Sequence, residues 1–180
     1  RQQKSFSLAQ LVYRQTVQKY DRNNKPLKAE IVPELFFELG EMHEETGEFV
    51  EAGEAFMQAI ASYNHPVDHQ DTPTYIVKSH FLGPKMHLKG QNYDVALESY
   101  KQAIKIYGKT ENEGIMEQVF WARYQSGVIN GIKGNEQQAL NIYAELIELR
   151  GNEEKLWKKL ATEKHRSILN KLSYDNYLKE

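Results

Sequence analysis

The sequence predicts an all-α chain, and three observations carry that expectation. Across its 180 residues Val, Ile and Thr never alternate with polar residues over a strand-length run, and most of the composition is helix-forming. Gly and Pro fall in short clusters, NNKP at 23–26, NHPVDHQDTP at 64–73, YGKTENEG at 107–114 and RGN at 150–152, which punctuate helices. An Ala followed four residues later by an aromatic returns at a near-constant interval, as Ala9–Tyr13, Ala52–Phe56, Ala96–Tyr100 and Ala139–Tyr143, so that the anchors stand 43, 44 and 43 residues apart.

These breaks place helices over 5–21, 32–46, 49–63, 73–89, 93–107, 114–132, 135–149 and 152–178. The first carries the Ala9–Tyr13 anchor and stands as the second helix of a part-repeat. The chain begins at Arg1 and not at Met, and its beginning reads as cut from a longer protein. The next six form three pairs. In LGEMHEETGEFVEAGEAFMQA (39–59), Gly47 opens the second helix, Ala52 and Phe56 follow, and Ala59 comes three later; GQNYDVALESYKQAI (90–104) and GNEQQALNIYAELI (134–147) repeat the pattern. Seven residues before each opening Gly stands another, Gly40, Gly83 or Gly127. Small residues of this kind suit the close crossing of two antiparallel helices, and Gly47, Gly90 and Gly134 suit the left-handed residue that ends a helix. One extra residue in the second turn, Gln91 or Asn92, accounts for the interval of 44. The last segment lacks the pattern. Leu156, Trp157, Leu160, Ala161, Ile168, Leu169 and Leu172 form an apolar stripe, with Lys155, Lys158, Lys159, Lys164, Arg166 and Lys171 to supply a polar outer face, as a terminal cap requires.

Bulk properties exclude several classes. A net charge of -2 offers no global field for nucleic acid or an anionic membrane. No apolar run is long enough to span a membrane, and RQQKSFSLAQ lacks a signal core. The absence of cysteine excludes disulfides, thiol catalysis and cysteine-ligated zinc, and fits any compartment. HEETG (43–47) begins like a zinc-protease helix, but the position four after His43 is Gly47, so the second imidazole is missing and His43 reads as a packing residue. His65 and His69 with Asp68 and Asp71 form no closed ligand set and read as a solvated loop. Neither G-x-S-x-G, nor G-x-G-x-x-G, nor a complete phosphate loop occurs, since GKT at 108–110 lacks its upstream Gly. The expectation is a chain that is not an enzyme and holds no cofactor or metal.

The repeated pattern resembles the tetratricopeptide repeat (TPR). The first repeat carries Phe36, Leu39, Gly40, Gly47, Phe49, Ala52, Phe56 and Ala59, with His43 where the family has Tyr. The second carries Leu82, Gly83, Gly90, Tyr93, Ala96, Tyr100 and Ala103, with Ser79 and Met86 as departures. The third keeps Gly127, Gly134, Ala139 and Tyr143 and departs at Arg123, Ser126, Asn130 and Glu136. The period exceeds the roughly 34 residues of a standard repeat, as in kinesin-light-chain-like arrays, while ARYQSGVINGIKGNEQQAL is similar to repeats of bacterial periplasmic envelope-assembly proteins. The compartment is therefore open between cytoplasm and periplasm.

The resemblance implies a right-handed α-α superhelix of TPR-like hairpins: a truncated repeat over 1–25, repeats over 31–66, 73–108 and 114–150, and a capping helix over 152–180. It implies non-catalytic protein–protein interaction, with a peptide or helix bound in a concave groove lined by the first helix of each pair. The groove positions are Glu34, Phe37, Glu41, Glu44 and Glu45; Val77, His80, Pro84, His87 and Leu88; and Trp121, Tyr124, Val128 and Ile132. Glu34, Glu41 and Glu45 share one helical stripe, as do Trp121, Tyr124, Val128 and Ile132, so the expected partner is a basic segment with hydrophobic anchors. The C-terminal helix is an alternative cover for the Trp121 stripe. Pro84 is expected to kink its helix. Two other functions fit: a self-associating architectural segment of a longer array, or a peptide-sensing regulatory domain.

Overall fold

The computed structural model describes residues 11, 15, 31–67, 71–149 and 155–177. From residue 31 onward it holds seven helices and, among the described residues, no strand. They are α1 (Val32–Glu45), α2 (Phe49–Ser62), α3 (Thr74–Lys89), α4 (Tyr93–Tyr107), α5 (Glu113–Ile132), α6 (Glu136–Glu148) and α7 (Leu156–Tyr177). The ends of α1 to α6 lie within one residue of those expected from the Gly and Pro clusters. The Ala9–Tyr13 anchor lies outside the described residues. Two compact units divide the chain, Arg1–Ser99 and Tyr100–Glu180. Helices pack on their neighbours in chain order, α1 on α2 and α2 on α3 in the first unit, α5 on α6 and α6 on α7 in the second. In addition α1 touches α3, and α5 touches α7.

The turns α1–α2, α3–α4 and α5–α6 are the same object built three times. In each, one residue takes positive φ: Gly47 at 76°, Gln91 at 62° and Gly134 at 77°. The amide of that residue donates to a carbonyl three back (Glu44, Leu88, Gly131), and the next amide, of Glu48, Asn92 or Asn135, donates to the carbonyl five back (His43, His87, Asn130). This is the Schellman pairing, which satisfies carbonyls left open at a helix end. The second of those residues also begins the following helix, because its carbonyl receives the amide of Ala52, Ala96 or Ala139.

The expectation for Gly90 is corrected here. Its φ is -78°, and the left-handed position belongs to Gln91. The additional residue of the second interval therefore falls before the turn residue and shifts the register of α3 by one. The position of Gly40 and Gly127 is held in α3 by Pro84, not by Gly83. The position of His43 and Asn130 is held by His87, not by Met86. At the shifted positions His43, His87 and Asn130 expose 3%, 2% and 3%, and Phe37, Phe81 and Tyr124 expose 7% each; His80, Gly83 and Met86, one residue earlier, are buried as well, so the turn conformation and its hydrogen bonds set the register.

Why Gly stands at 40 and 127 is visible in the packing. A Cβ added at Gly40 would lie 2.7 Å from the ring of Phe56, and one at Gly127 would lie 2.5 Å from the ring of Tyr143. The aromatic of the second helix thus seats directly on the backbone of the first. Around it in the first unit gather Phe37, Ala52, Ala59 and Met86, all buried. In the second unit Tyr124, Ala139, Tyr143, Leu146, Trp157 and Ala161 form the equivalent cluster. Pro84 is buried within α3, and the helix continues through it to Lys89. A proline nitrogen carries no hydrogen, so the carbonyl of His80 lacks its usual helical amide.

Trp157 anchors α7, with its ring 4.7 Å from that of Phe120. Three of the lysines assigned to an outer face also reach the preceding segments, Lys155 and Lys171 while remaining exposed. Lys155 pairs with Glu117 at 3.1 Å, Lys171 pairs with Glu136, and the ammonium of Lys158 donates to the carbonyl of Leu149. Leu156 and Leu169 of the expected apolar stripe are exposed.

Two outcomes check this account. Gln91→Gly removes a side chain from a left-handed backbone and is expected to stabilise the first unit by about 1 kcal/mol in urea unfolding; a destabilised variant would contradict the turn register. Gly127→Ala is expected to destabilise by roughly 1–3 kcal/mol through the Tyr143 ring. Gly131→Ala, whose Cβ meets nothing within 4 Å, is expected to stabilise by roughly 0.5–1 kcal/mol through helix propensity. Equal effects at the two glycines would refute the crossing.

Candidate functional site

Of the residues expected at the site, Glu34, Glu41, Glu44 and Glu45 of α1 and Val77 and Leu88 of α3 are exposed or half-buried in the first unit. Pro33 begins α1 at a position where its missing amide hydrogen costs nothing. One face of α1 carries Gly40 and Phe37 into the core, and carboxylates flank it. Glu41 and Glu45 are exposed, while Glu34 and Glu44 are half-buried. On α3, Leu88 and Val77 are half-buried, but His80, Pro84 and His87 are buried and do not line an open face. With the register corrected, the α3 residues equivalent to Glu34, Glu41 and Glu45 are Lys78, Lys85 and Lys89, all exposed. This lysine stripe was hidden in the sequence by the LG dipeptide at 82–83, which mimics the motif one residue early.

Charge across the two helices is therefore mixed. Lys89 pairs with Glu44 at 3.1 Å, and its ammonium lies 4.9 Å over the ring of Phe49. The carboxyl of Glu41 is raised above the ordinary carboxylate range by partial burial; Lys78 opposes that shift, and Glu38, Glu45 and Glu44 add to it. The lysines of α3 thus stand beside the acidic stripe of α1, at positions that were not among the expected groove residues.

Buried polar groups occupy equivalent helix-end positions in each unit. His43 Nδ1 and Glu48 Oε2 lie 2.7 Å apart, joining the end of α1 to the start of α2. In the second unit Asn135 Nδ2 donates to Asn130 Oδ1 at 3.4 Å, Asn130 Nδ2 donates to the carbonyl of Ser126, and Ser126 Oγ donates to that of Ala122. His87 differs: neither ring nitrogen has a hydrogen-bond partner among the described residues. Its ring rests on α2 at Gly53, where an added Cβ would come within 2.8 Å. Burial lowers the pKa of His87, with Glu54 of α2 opposing the shift, and burial lowers that of His80 to about 4.

Trp121, Tyr124 and Val128 of the second unit belong largely to its core. Tyr124 is buried, stacks edge-on with Trp121 at 5.7 Å and lies 5.9 Å from Tyr143. Its phenol is raised by burial and further by Glu163 of α7. Trp121 and Val128 are half-buried against the cluster to which α7 contributes Trp157 and Ala161; Ile132 remains exposed. A separate cleft of about 440 Å³ lies between the start of α1, the end of α2 and the start of α3, lined in part by Pro33, Tyr63, His65 and Tyr75. His65 there stacks on Tyr63 at 5.4 Å, while Asp68 and His69 lie outside the described residues. No three His, Asp or Glu side chains converge among the described residues, and no helix among them is long and apolar enough to cross a membrane.

Comparison of the chain with protein-family models, with curated proteins and with solved structures finds no match.

The buried histidines predict a pH dependence. Their folded pKa values lie below the ordinary 6.5, so each folds as the neutral form. That contribution is complete above pH 6.5 and is lost as pH falls toward the folded value. For His80 the loss between pH 7.5 and pH 5 is about 2 kcal/mol, and His87 acts in the same direction. Urea unfolding of the wild type and of His80→Gln/His87→Gln at both pH values is expected to show a steeper acid loss in the wild type. Equal slopes would contradict the assignment.

Proposed function

We propose that this chain is a segment of a TPR-like helical array that binds a peptide or helix of a partner protein on the surface formed by α1 and α3. The role is non-catalytic. One observation carries the reading. Glu41 and Glu45 on α1 and Lys78 and Lys85 on α3 are exposed on adjacent helices, and none of the four closes an ion pair or hydrogen bond among the described residues. The apolar faces of the same helices are already consumed by Phe37, Ile76, Phe81 and Met86, all buried. A packed scaffold that leaves ordered charged stripes facing outward supplies directional contacts at little conformational cost to itself. The tandem hairpins and their resemblance to the TPR pattern point the same way.

A second reading, self-association within a longer array, draws on the exposed apolar side chains Ile132, Leu156 and Leu169 of the second unit. Sedimentation at increasing concentration distinguishes it, since a monomer throughout excludes that reading for this segment.

The test of the first reading is selection of a random 16-residue phage-displayed peptide library on the chain, followed by amide chemical-shift mapping with the enriched peptides. Shifts concentrated in α1 and α3, and lost in Glu41→Lys/Glu44→Lys/Glu45→Lys with the helix content unchanged, are expected. Enriched peptides that bind the reversed variant equally well would sink it.

A further inference from the structure

We propose that the α1/α3 surface selects a segment of bipolar charge, basic along the edge that meets α1 and acidic along the edge that meets α3. The inference rests on the reading of this surface as a binding face and specifies the partner's chemistry. Gln91 lies 44 residues after Gly47, and at that interval three carboxylates of α1 change sign, Glu34 to Lys78, Glu41 to Lys85 and Glu45 to Lys89, while Glu38 and Glu44 become Leu82 and Leu88. Residues i, i+7 and i+11 fall within a narrow arc of a helix surface, so each set is one stripe. Packed helices lie about 8–10 Å apart. The stripes are thus separated by roughly the width of one helix, about 10–12 Å, and a single segment lying along the face would meet carboxylates on one side and ammonium groups on the other.

Internal pairing explains only part of the pattern. Glu44 and Lys89 close their pair beside the turn, next to Phe49. Farther from the turn, Lys78 acts on Glu41 only as a longer-range charge, and Lys85 and Glu45 form no pair among the described residues. A uniformly basic segment would gain from α1 and be repelled by α3; an acidic segment or a nucleic-acid backbone would meet the reverse. Like charges placed in contact cost enough to exclude a wrong partner, so the face discriminates against ligands of one sign.

The probes are four synthetic helical peptides of one length and apolar content: bipolar, with Lys along one edge and Glu along the other; scrambled from the same composition; all-basic; and all-acidic. Each is titrated calorimetrically at low salt against the wild-type chain, Glu41→Lys/Glu45→Lys and Lys78→Glu/Lys85→Glu, with circular dichroism confirming the fold of each variant. The bipolar peptide is expected to bind at least about tenfold more tightly than the other three, and either reversal to cost it about tenfold, since each removes two attractive contacts and creates two repulsive ones. An all-basic peptide that matches the bipolar one and ignores the lysine reversal would overturn the bipolar assignment while leaving a binding face on α1. Failure of all four peptides to perturb the amides of α1 and α3 would overturn the binding face itself. Self-association of the chain dispersed by Lys78→Glu/Lys85→Glu would assign the stripes to a second copy and contradict the proposal.

Discussion

A left-handed backbone residue at 47, 91 and 134 sets the register of the helices on either side of it. Once that residue is placed, two hydrogen bonds close the first helix, the following residue opens the second, and an Ala five positions on enters the crossing. The small residue or proline of the first helix and the aromatic of the second are then fixed by count. Gly supplies the turn conformation at no steric cost in two cases. In the third, Gln91 adopts it with a Cβ, a strain that the two surrounding hydrogen bonds offset. The aromatics Phe56 and Tyr143 complete the unit by lying on a backbone that has no side chain to keep them away.

The surface chemistry is a consequence of that register. Because α3 is counted from Gln91 and not from Gly90, its exposed stripe is Lys78, Lys85 and Lys89, and its buried stripe takes His80, Phe81 and His87. One residue of difference exchanges a groove of histidines for a stripe of lysines beside the acidic stripe of α1. The histidines then belong to the interior, where burial keeps them neutral. His43 at the equivalent place meets Glu48. Equivalent positions in the repeated turns therefore differ in their hydrogen bonding among the described residues.

Much of this was legible in the sequence. Gly and Pro clusters located every described helix of the three pairs because they mark where a backbone cannot continue, and the Ala-aromatic spacing located the crossings. The register of α3 was not legible. LG at 82–83 and Gly at 90 reproduce the spacing of LG at 39–40 and Gly at 47, and nothing in a glutamine advertises a positive φ. The contribution of α7 to the cluster against which Trp121 and Val128 pack was also open, since an amphipathic helix reads the same whether its stripe caps a neighbour or projects beyond it. Side-chain reach explains the remaining difference: Lys155, Lys158 and Lys171 have stems long enough to turn back to α5 and α6, and charge pattern alone does not give that direction.

The register of α3 carries the surface account, and hydrogen exchange of one amide tests it directly. With Gln91 as the left-handed residue, the Asn92 amide is bonded to the carbonyl of His87, as those of Glu48 and Asn135 are to His43 and Asn130. Native-state exchange is expected to find Asn92 protected to the same degree as those two counterparts. An Asn92 amide that exchanges at the rate of an open chain, beside protected amides at Glu48 and Asn135, would place the turn one residue earlier. The lysine stripe opposite Glu34, Glu41 and Glu45 would then be lost.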